Sequence, residues 1–254
     1  MTRSSAPATL SSDLTERLVS ADRWLVLTGS GVSAASGVPT FRDAQTGLWA
    51  KYDAESLATP GAFRDNPALV WDWYEWRRSL IARADPNSAH FALAELASMK
   101  PGLTLVTQNV DGLHQRAGSE AVVEFHGNIE RNRCFECGIV TDSEPGTEDR
   151  PPLCEHCGGL LRPDVVWFGE TIPRAALEAA AEAAGTAEVF LSVGTAAAVY
   201  PAAGLAQAAA MAGATIVEIN PERTPLSDLA DHVLDGSAAS WLPTIAAAVR
   251  DAVS

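Results

Sequence analysis

Four short apolar runs, each followed by small or polar residues, constrain the fold of this chain more than any other feature. They occupy residues 24–28 (WLVLT), 103–107 (LTLVT), 189–194 (VFLSVG) and 215–220 (TIVEIN). Apolar runs of this length without polar alternation are typical of parallel strands that are buried on both faces. The chain is therefore expected to contain a parallel sheet covered by helices.

Helical segments separate these runs. Residues 67–84, 88–99, 174–184 and 202–213 combine good helix formers with apolar residues, and several of them are rich in alanine. Strands that alternate with helices predict an α/β fold with a Rossmann-like, doubly wound parallel sheet. We interpret residues 1–254 as a single catalytic domain.

Two regions interrupt the alternation and are interpreted as insertions. Residues 41–101 are expected to be mostly helical without a strand, and residues 129–161 combine all the cysteines with glycine, proline and charge. The remaining segments, about 10–40, 102–128 and 162–254, are assigned to the large Rossmann-like lobe. Together the insertions are expected to form a smaller lobe, with a ligand cleft between the two lobes.

The charge of the chain restricts its partners. The formal net charge is −14, with 47% hydrophobic and 20% charged residues over 254 positions. A surface of this sign argues against direct binding to nucleic-acid phosphates or to anionic membranes. No run of eighteen apolar residues and no secretory signal is evident, so a cytoplasmic location is expected. The oligomeric state stays open, with a monomer as one possibility.

The four cysteines form two CxxC pairs whose spacing is typical of a tetrahedral zinc site. These candidate ligands are Cys134, Cys137, Cys154 and Cys157. Two disulfides are the alternative, although they do not persist in a reducing compartment. Four thiolates complete the coordination of one ion, so the predicted site is structural.

A glycine-rich turn follows the first predicted strand and satisfies the pattern GxGxxA. Its candidate nucleotide contacts are Gly29, Ser30, Gly31, Ser33 and Ala34. Such turns bring backbone amides close to a pyrophosphate. No clear acidic residue closes a second strand about 20 residues later, as the fingerprint of ordinary dehydrogenases requires.

The full stretch GSGVSAASGVPTFRD (29–43) resembles the first motif of the sirtuin family. Further blocks follow in the family's order: TQNVDGLHQRAG (107–118), FHGN (125–128), RPDVVWFGE (162–170), GTAAAVYPAA (194–203), IN (219–220) and GSAASWLP (236–243). The resemblance runs from about residue 20 to residue 250. It implies an NAD-dependent protein-lysine deacylase, which transfers the acyl group of lysine to ADP-ribose and releases nicotinamide. It also implies NAD and one structural zinc ion as cofactors, and acyl-lysine proteins or peptides as substrates.

The resemblance assigns candidate roles at the reacting sugar. His126 is the candidate base, because an imidazole with a pKa near ~6.5 can accept a ribose hydroxyl proton at neutral pH. Gln108, Asn109, Val110 and Asp111 match the motif that orients the ribose and the nicotinamide amide, and Asn109 and Asp111 complete the catalytic set. His90, His114 and His232 are interpreted as ordinary core or surface residues.

Other cofactor contacts follow from the same resemblance. Phe41 and Arg42 match the positions that cover the ribose and meet its oxygen atoms or a phosphate. Gly194, Thr195 and Ala196 match a GTS motif, and because Ala196 replaces the serine, one hydroxyl contact is expected to be missing. The adenosine side is assigned to Asn220, Pro221, Glu222 and Ala238.

The substrate side is assigned to two segments. Val166, Trp167, Phe168 and Gly169 resemble the strip that pairs with the substrate peptide by strand addition. Tyr74 and Arg77 share one face of a predicted helix, and the sirtuins that remove succinyl, malonyl or glutaryl groups carry this YxxR pair. A guanidinium and a phenol suit a buried carboxylate. The alternative is an aromatic-rich helix with an arginine that extends to solvent.

Two other functions stay open at this point. A relative of the same fold can transfer ADP-ribose to a protein, since the first half of the chemistry is shared. An NAD-sensing regulatory module is disfavoured because His126, Asn109 and Asp111 are all present.

Overall fold

The computed structural model describes residues 9–38, 49, 51–141 and 150–253. Among these residues, no helix is both long and apolar enough to cross a membrane. The strands are β1 (Arg23–Thr28), β2 (Gly102–Thr107), β3 (Val122–Glu124), β4 (Gly127–Cys134), β5 (Val140–Thr141), β6 (Leu161–Val165), β7 (Val189–Val193), β8 (Thr215–Asn220) and β9 (His232–Asp235). The α-helices are α1 (Ser12–Ser20), α2 (Ala54–Leu57), α3 (Pro60–Asp65), α4 (Pro67–Ile81), α5 (Ser88–Met99), α6 (Leu113–Arg116), α7 (Arg174–Thr186), α8 (Ala202–Met211) and α9 (Ala238–Val253).

The larger sheet has six strands in the order β3-β2-β1-β7-β8-β9, and every neighbouring pair is parallel. The strand order reverses between β1 and β7, as in a doubly wound Rossmann sheet. This confirms the predicted fold class. All four predicted strands are present with bounds shifted by no more than one residue, and the edge strand β9 was not anticipated.

Helices cover both faces of this sheet. On one face, α1, α5 and α9 enclose a core that contains Leu18, Leu93 and Leu242. On the other face, α7 and α8 pack small residues such as Ala180 and Ala209 against the strands. Helix α5 falls within the range 41–101 that was expected as an insertion, yet it packs against α9 and β2 because its apolar face belongs to the core of the sheet.

The second part of the described chain combines α2 to α4 with a three-stranded antiparallel sheet, in the order β5-β4-β6. Helix α4 begins where the Asn66 side chain accepts a hydrogen bond from the Leu69 amide and Pro67 occupies the first turn, both of which favour a helix start. Its buried face packs with Ile129 of β4 and Val165 of β6. We refer to β4 to β6 with the two CxxC pairs as the cysteine module.

Candidate active site

Two glycine turns meet where the strand order reverses, between β1 and β7. The Gly31 amide donates to the Gly194 carbonyl over 2.9 Å. A Cβ atom added to Gly31 would lie only 2.7 Å from the Gly194 Cα, and one added to Gly29 would lie 2.8 Å from the Gly194 oxygen. Gly194 has a φ of +59°, which favours glycine. The close approach of these two turns therefore requires glycine in itself, in addition to any need for contact with a pyrophosphate.

A cavity of about 740 Å³ opens at the carboxyl ends of these strands. Ligands of doubly wound folds bind at this switch point. The cavity brings together most of the predicted site, namely Gly29, Ser30, Ser33, Tyr74, Arg77, Gln108, Asn109, Val110, Asp111, His126, Val166, Trp167, Phe168, Gly169, Gly194, Thr195 and Ala196. Gly31, Ala34, Asn220, Pro221, Glu222 and Ala238 do not line it. Phe41 and Arg42 lie outside the described residues.

His126 follows β3 and forms part of the cavity wall. Its Nδ1 lies 3.1 Å from the Gln108 carbonyl oxygen. Because a carbonyl can only accept, Nδ1 must carry the hydrogen, which leaves Nε2 as the basic atom of the neutral ring. Burial lowers the pKa of His126 below 6.5, opposed in part by the bond to Gln108. The ring is therefore neutral at physiological pH, as a general base must be.

A hydrogen-bond network fixes the amide and carboxylate beside it. The Ser33 hydroxyl donates to Asp111 Oδ2 over 2.7 Å, and the second oxygen of Asp111 accepts from the Leu113 amide over 3.0 Å. The Asn109 side chain donates to the Gly29 carbonyl and to Ser33 Oγ, both over 3.1 Å. These bonds tie the β2 turn to the β1 turn, so the polar groups are held in place before a ligand arrives.

Two histidines that sequence reasoning treated as ordinary lie directly beneath this network. His90 Nε2 is 3.4 Å from Ser33 Oγ, and His114 Nε2 is 3.0 Å from Thr28 Oγ1. Both rings are buried, and burial, with a smaller effect of His90, lowers the pKa of His114 to about 3. They are core residues in packing, yet His90 contacts Ser33 of the network and His114 contacts Thr28 at the end of β1. The position of His114 within the motif TQNVDGLHQRAG was the signal that could have indicated this.

The predicted adenosine contacts surround the end of β8. The Asn220 side chain donates from Nδ2 to the Thr195 carbonyl over 3.0 Å, so it fixes the turn after β7. Glu222 is exposed, and the Ala238 methyl is packed into the core at the start of α9, which leaves only its backbone for a nucleotide. Glu218, which the sequence analysis did not single out, is buried and accepts hydrogen bonds from Thr224 and Ser227.

Tyr74 and Arg77 lie on the same face of α4 and line the cavity together. Burial raises the pKa of Tyr74 to about 12, so the phenol keeps its proton. Burial lowers the pKa of Arg77, and its guanidinium lies 5.3 Å from the centre of the Trp73 ring. An arginine remains charged in proteins even when its pKa is lowered. The α4 side of the cavity therefore offers a phenol donor and a cation.

The segment from Val165 to Glu170 already uses several of its amides within the chain. The Val166 amide donates to the His126 carbonyl, and the Phe168 amide donates to the Ala58 carbonyl, each over 2.9 Å. The Trp167 amide donates to the Glu170 carboxylate over 2.8 Å. A peptide that pairs with this segment must therefore use other backbone groups than these three amides.

The four cysteines converge on one point. Their sulfur atoms all lie within 4.8 Å of one another, and all four thiols are free. The Cys134 and Cys157 sulfurs are 3.4 Å apart, and those of Cys137 and Cys154 are 3.8 Å apart. A disulfide requires about 2.05 Å, so the disulfide alternative is wrong. Four thiolates at bonds of about 2.3 Å from one zinc ion also lie at this mutual spacing, and the residues fit the ion.

A family model and several known proteins match this chain in sequence. A family model described as the Sir2 family matches residues 29–201. The NAD-dependent protein deacylase 2 of Pyrobaculum aerophilum is 50% identical over 238 residues, which cover 94% of this chain and 95% of the relative. The NAD-dependent protein deacylase of Ralstonia nicotianae is 53% identical over 231 residues, which cover 89% of this chain and 92% of the relative.

Solved structures of Sir2 proteins superpose on this chain. A crystal structure of a Sir2 homologue in complex with NAD superposes with a TM-score of 0.91 at 42% identity, covering 98% of both chains. A Sir2 complex with a deacetylated p53 peptide and 3′-O-acetyl ADP-ribose superposes with a TM-score of 0.81 at 30% identity, covering 92% of this chain and 96% of the other.

The fold and the site together define a dinucleotide-binding Rossmann protein that carries a four-cysteine metal module. Within that class, the chain belongs to the Sir2 family, the sirtuins, as the match over residues 29–201 and the relatives at about 50% identity establish.

Proposed function

We propose that this chain is an NAD-dependent protein-lysine deacylase that removes acetyl groups and also acidic acyl groups such as succinyl and malonyl. The observation that carries the proposal is a single cavity that contains the His126 base, the Asn109 and Asp111 network, and the Tyr74 and Arg77 pair. One cavity can therefore hold the nucleotide sugar and the acyl-lysine side by side.

NAD, when bound, supplies a sugar carbon that the acyl oxygen attacks as nicotinamide departs. The residues of this chain prepare that event. His126 Nε2 accepts the ribose hydroxyl proton, because its Nδ1 is held by the Gln108 carbonyl. Asn109 and Asp111 orient the ribose and the carboxamide, and their own partners, including Ser33, prevent them from turning away. The apolar wall at Val165 and Trp167 helps to exclude water from the acyl group.

The proposed activity on acidic acyl groups rests on charge. An acyl carboxylate inside the cavity must be paired, because an unpaired buried charge is costly. Arg77 supplies the positive charge, and the protonated Tyr74 phenol supplies a further donor on the same face of α4. An acetyl group needs neither contact and still fits, so both classes of substrate are expected to react.

The same proposal assigns the NAD, peptide and zinc sites to parts of the chain. The large lobe binds NAD, the segment from Val166 to Gly169 contacts the peptide, and the four cysteines hold one structural zinc ion. A cytoplasmic location is part of the same proposal, because a reducing compartment keeps the four cysteines available as zinc ligands. The residues around the end of β8, including Asn220, are assigned to the adenosine side of NAD.

The test is nicotinamide release from NAD with matched acetyl-lysine and succinyl-lysine peptides, with the products weighed by mass spectrometry. Deacylation produces free lysine and O-acyl-ADP-ribose. A heavier target protein without loss of the acyl group would instead establish ADP-ribosyl transfer and contradict the proposal.

Arg77→Met tests the acidic-acyl assignment. We expect kcat/KM for the succinyl peptide to fall about 10-fold to 150-fold, because a charge-assisted pair contributes ~1.5–3 kcal/mol. The acetyl peptide is the internal control, and its kcat/KM should change far less. Equal losses on the two peptides, or an intact succinyl rate, would show that Arg77 does not recognise the carboxylate.

A further inference from the structure

The indole of Trp167 makes a specific contact with the phenol of Tyr74. Trp167 Nε1 donates to Tyr74 Oη over 2.8 Å, and both side chains are at most 3% exposed. The indole N–H can only donate, so it occupies one lone pair of the phenol oxygen. The phenol proton is then left for another acceptor.

The indole is itself held on its other side. The Arg162 guanidinium lies 3.2 Å from the centre of the Trp167 ring, and the Glu170 carboxylate binds both the Arg162 guanidinium and the Trp167 amide. Arg162 is buried, and Phe63 packs against the Trp167 ring with 5.3 Å between ring centres. The indole N–H therefore has little freedom to leave the phenol.

We propose that Trp167 is a positioning residue for acyl selectivity: its indole N–H fixes the Tyr74 oxygen so that the phenol proton is donated into the cavity, to a carboxylate on the acyl group. The inference rests on the proposed function, because it concerns the acidic acyl groups. A donor to the phenol oxygen also polarises the phenol, which makes its own O–H a stronger donor. Trp167 thus acts through Tyr74 and needs no contact with the carboxylate.

Trp167→Phe removes the N–H and keeps an aromatic ring. The quantity to measure is the ratio of kcat/KM for the succinyl peptide to kcat/KM for the acetyl peptide. We expect this ratio to fall about threefold to tenfold, as for the loss of one neutral hydrogen bond, with the change mainly in the KM for the succinyl peptide. Trp24→Phe is the matched control, because it loses a buried indole bond to the Ala21 carbonyl in the core of the sheet, away from the cavity. Its ratio should equal that of the unaltered chain.

A double-mutant cycle separates positioning from packing. If Trp167 acts through the phenol, Trp167→Phe should not lower the ratio further in a Tyr74→Phe background. Replacement of Trp167 by 3-benzothienylalanine, in which sulfur takes the place of the N–H, keeps the ring volume and serves if the phenylalanine variant fails to fold.

The outcomes are distinct. The inference is overturned if loss of the Trp167 N–H leaves the succinyl-to-acetyl ratio unchanged. It is also overturned if that loss lowers the ratio equally with and without the Tyr74 hydroxyl. In both cases the acidic-acyl activity itself stands. An unaltered chain that removes acetyl but not succinyl overturns the acidic-acyl part of the proposed function, and this inference with it.

Discussion

The six-stranded sheet buries large aliphatic side chains on both faces, whereas the cysteine module buries very few. Leu25 of β1 and Leu191 of the adjacent strand β7 are completely buried in opposite cores. The cluster around the cysteines contains only Trp71, Cys134, Cys154 and Leu161 among the described residues. Ile139, Val140 and Leu153 of this module are exposed. With so little apolar core around its cysteines, this module is expected to depend on a bound metal for stability.

The two regions also contribute different residues to the cavity. The turns after β1, β2 and β7 hold the polar groups, while β6 and the segment after it supply the wall that contains Trp167. Arg131 of β4 joins the regions, because it pairs with Glu124 of the large sheet at 2.5 Å and with Asp164 of β6 at 3.1 Å. The groups assigned to the reaction therefore belong to the region with the large apolar cores, and the metal-binding cysteines belong to the other region.

The largest expected effect is that of metal removal. Structural zinc sites in small domains contribute an apparent ~10–16 kcal/mol, so a chelator should unfold the cysteine module and abolish activity with it. Hydrogen exchange should show loss of protection in β4 to β6 while β1, β7 and β8 remain protected. Added zinc should restore both. A metal-free chain that is stable and fully active would remove the distinction between the two regions.

A smaller effect is expected from leucine truncation, and it differs between the regions. Leu191→Ala leaves a cavity in the core of the sheet and should lower the free energy of unfolding by about 2–5 kcal/mol. Leu153→Ala, in the cysteine module, removes a side chain that is 52% exposed and should change it by less than about 0.5 kcal/mol. Urea unfolding curves measure both. Similar losses would show that the module has an apolar core of its own.

Much of the fold was predictable because the signals are local. A buried parallel strand such as β8 reads as one continuous apolar run, and the CxxC spacing indicates a metal site without further context. The edge strand β9 (HVLD) was missed because it is short and carries polar residues at both ends. Residues 41–101 are assigned to an insertion because they lack a strand pattern. The lack of strands does not reveal that helix α5 packs in the core of the large sheet.

The site was predictable to the extent that its residues lie in contiguous motifs. Gln108 to Asp111 and His126 follow their strands directly, and parallel strands bring their carboxyl ends together. The contacts of His90, His114 and Trp167 depend on residues far away in sequence, and no local pattern specifies such pairs. Glycine is needed at 31 and 194 for a second reason that the motif does not reveal, because the two turns pack against each other.

Acceptance of the ribose proton by His126 can be tested by single turnover of the His126→Ala chain, with NAD binding measured by calorimetry. We predict that turnover falls about 10²-fold to 10⁴-fold while NAD still binds and the thermal midpoint is retained. His232→Ala is the matched control, because His232 lies on β9 and contacts Asp13 instead of the cavity. Turnover of the His126→Ala chain equal to that of this control would show that His126 is not the base.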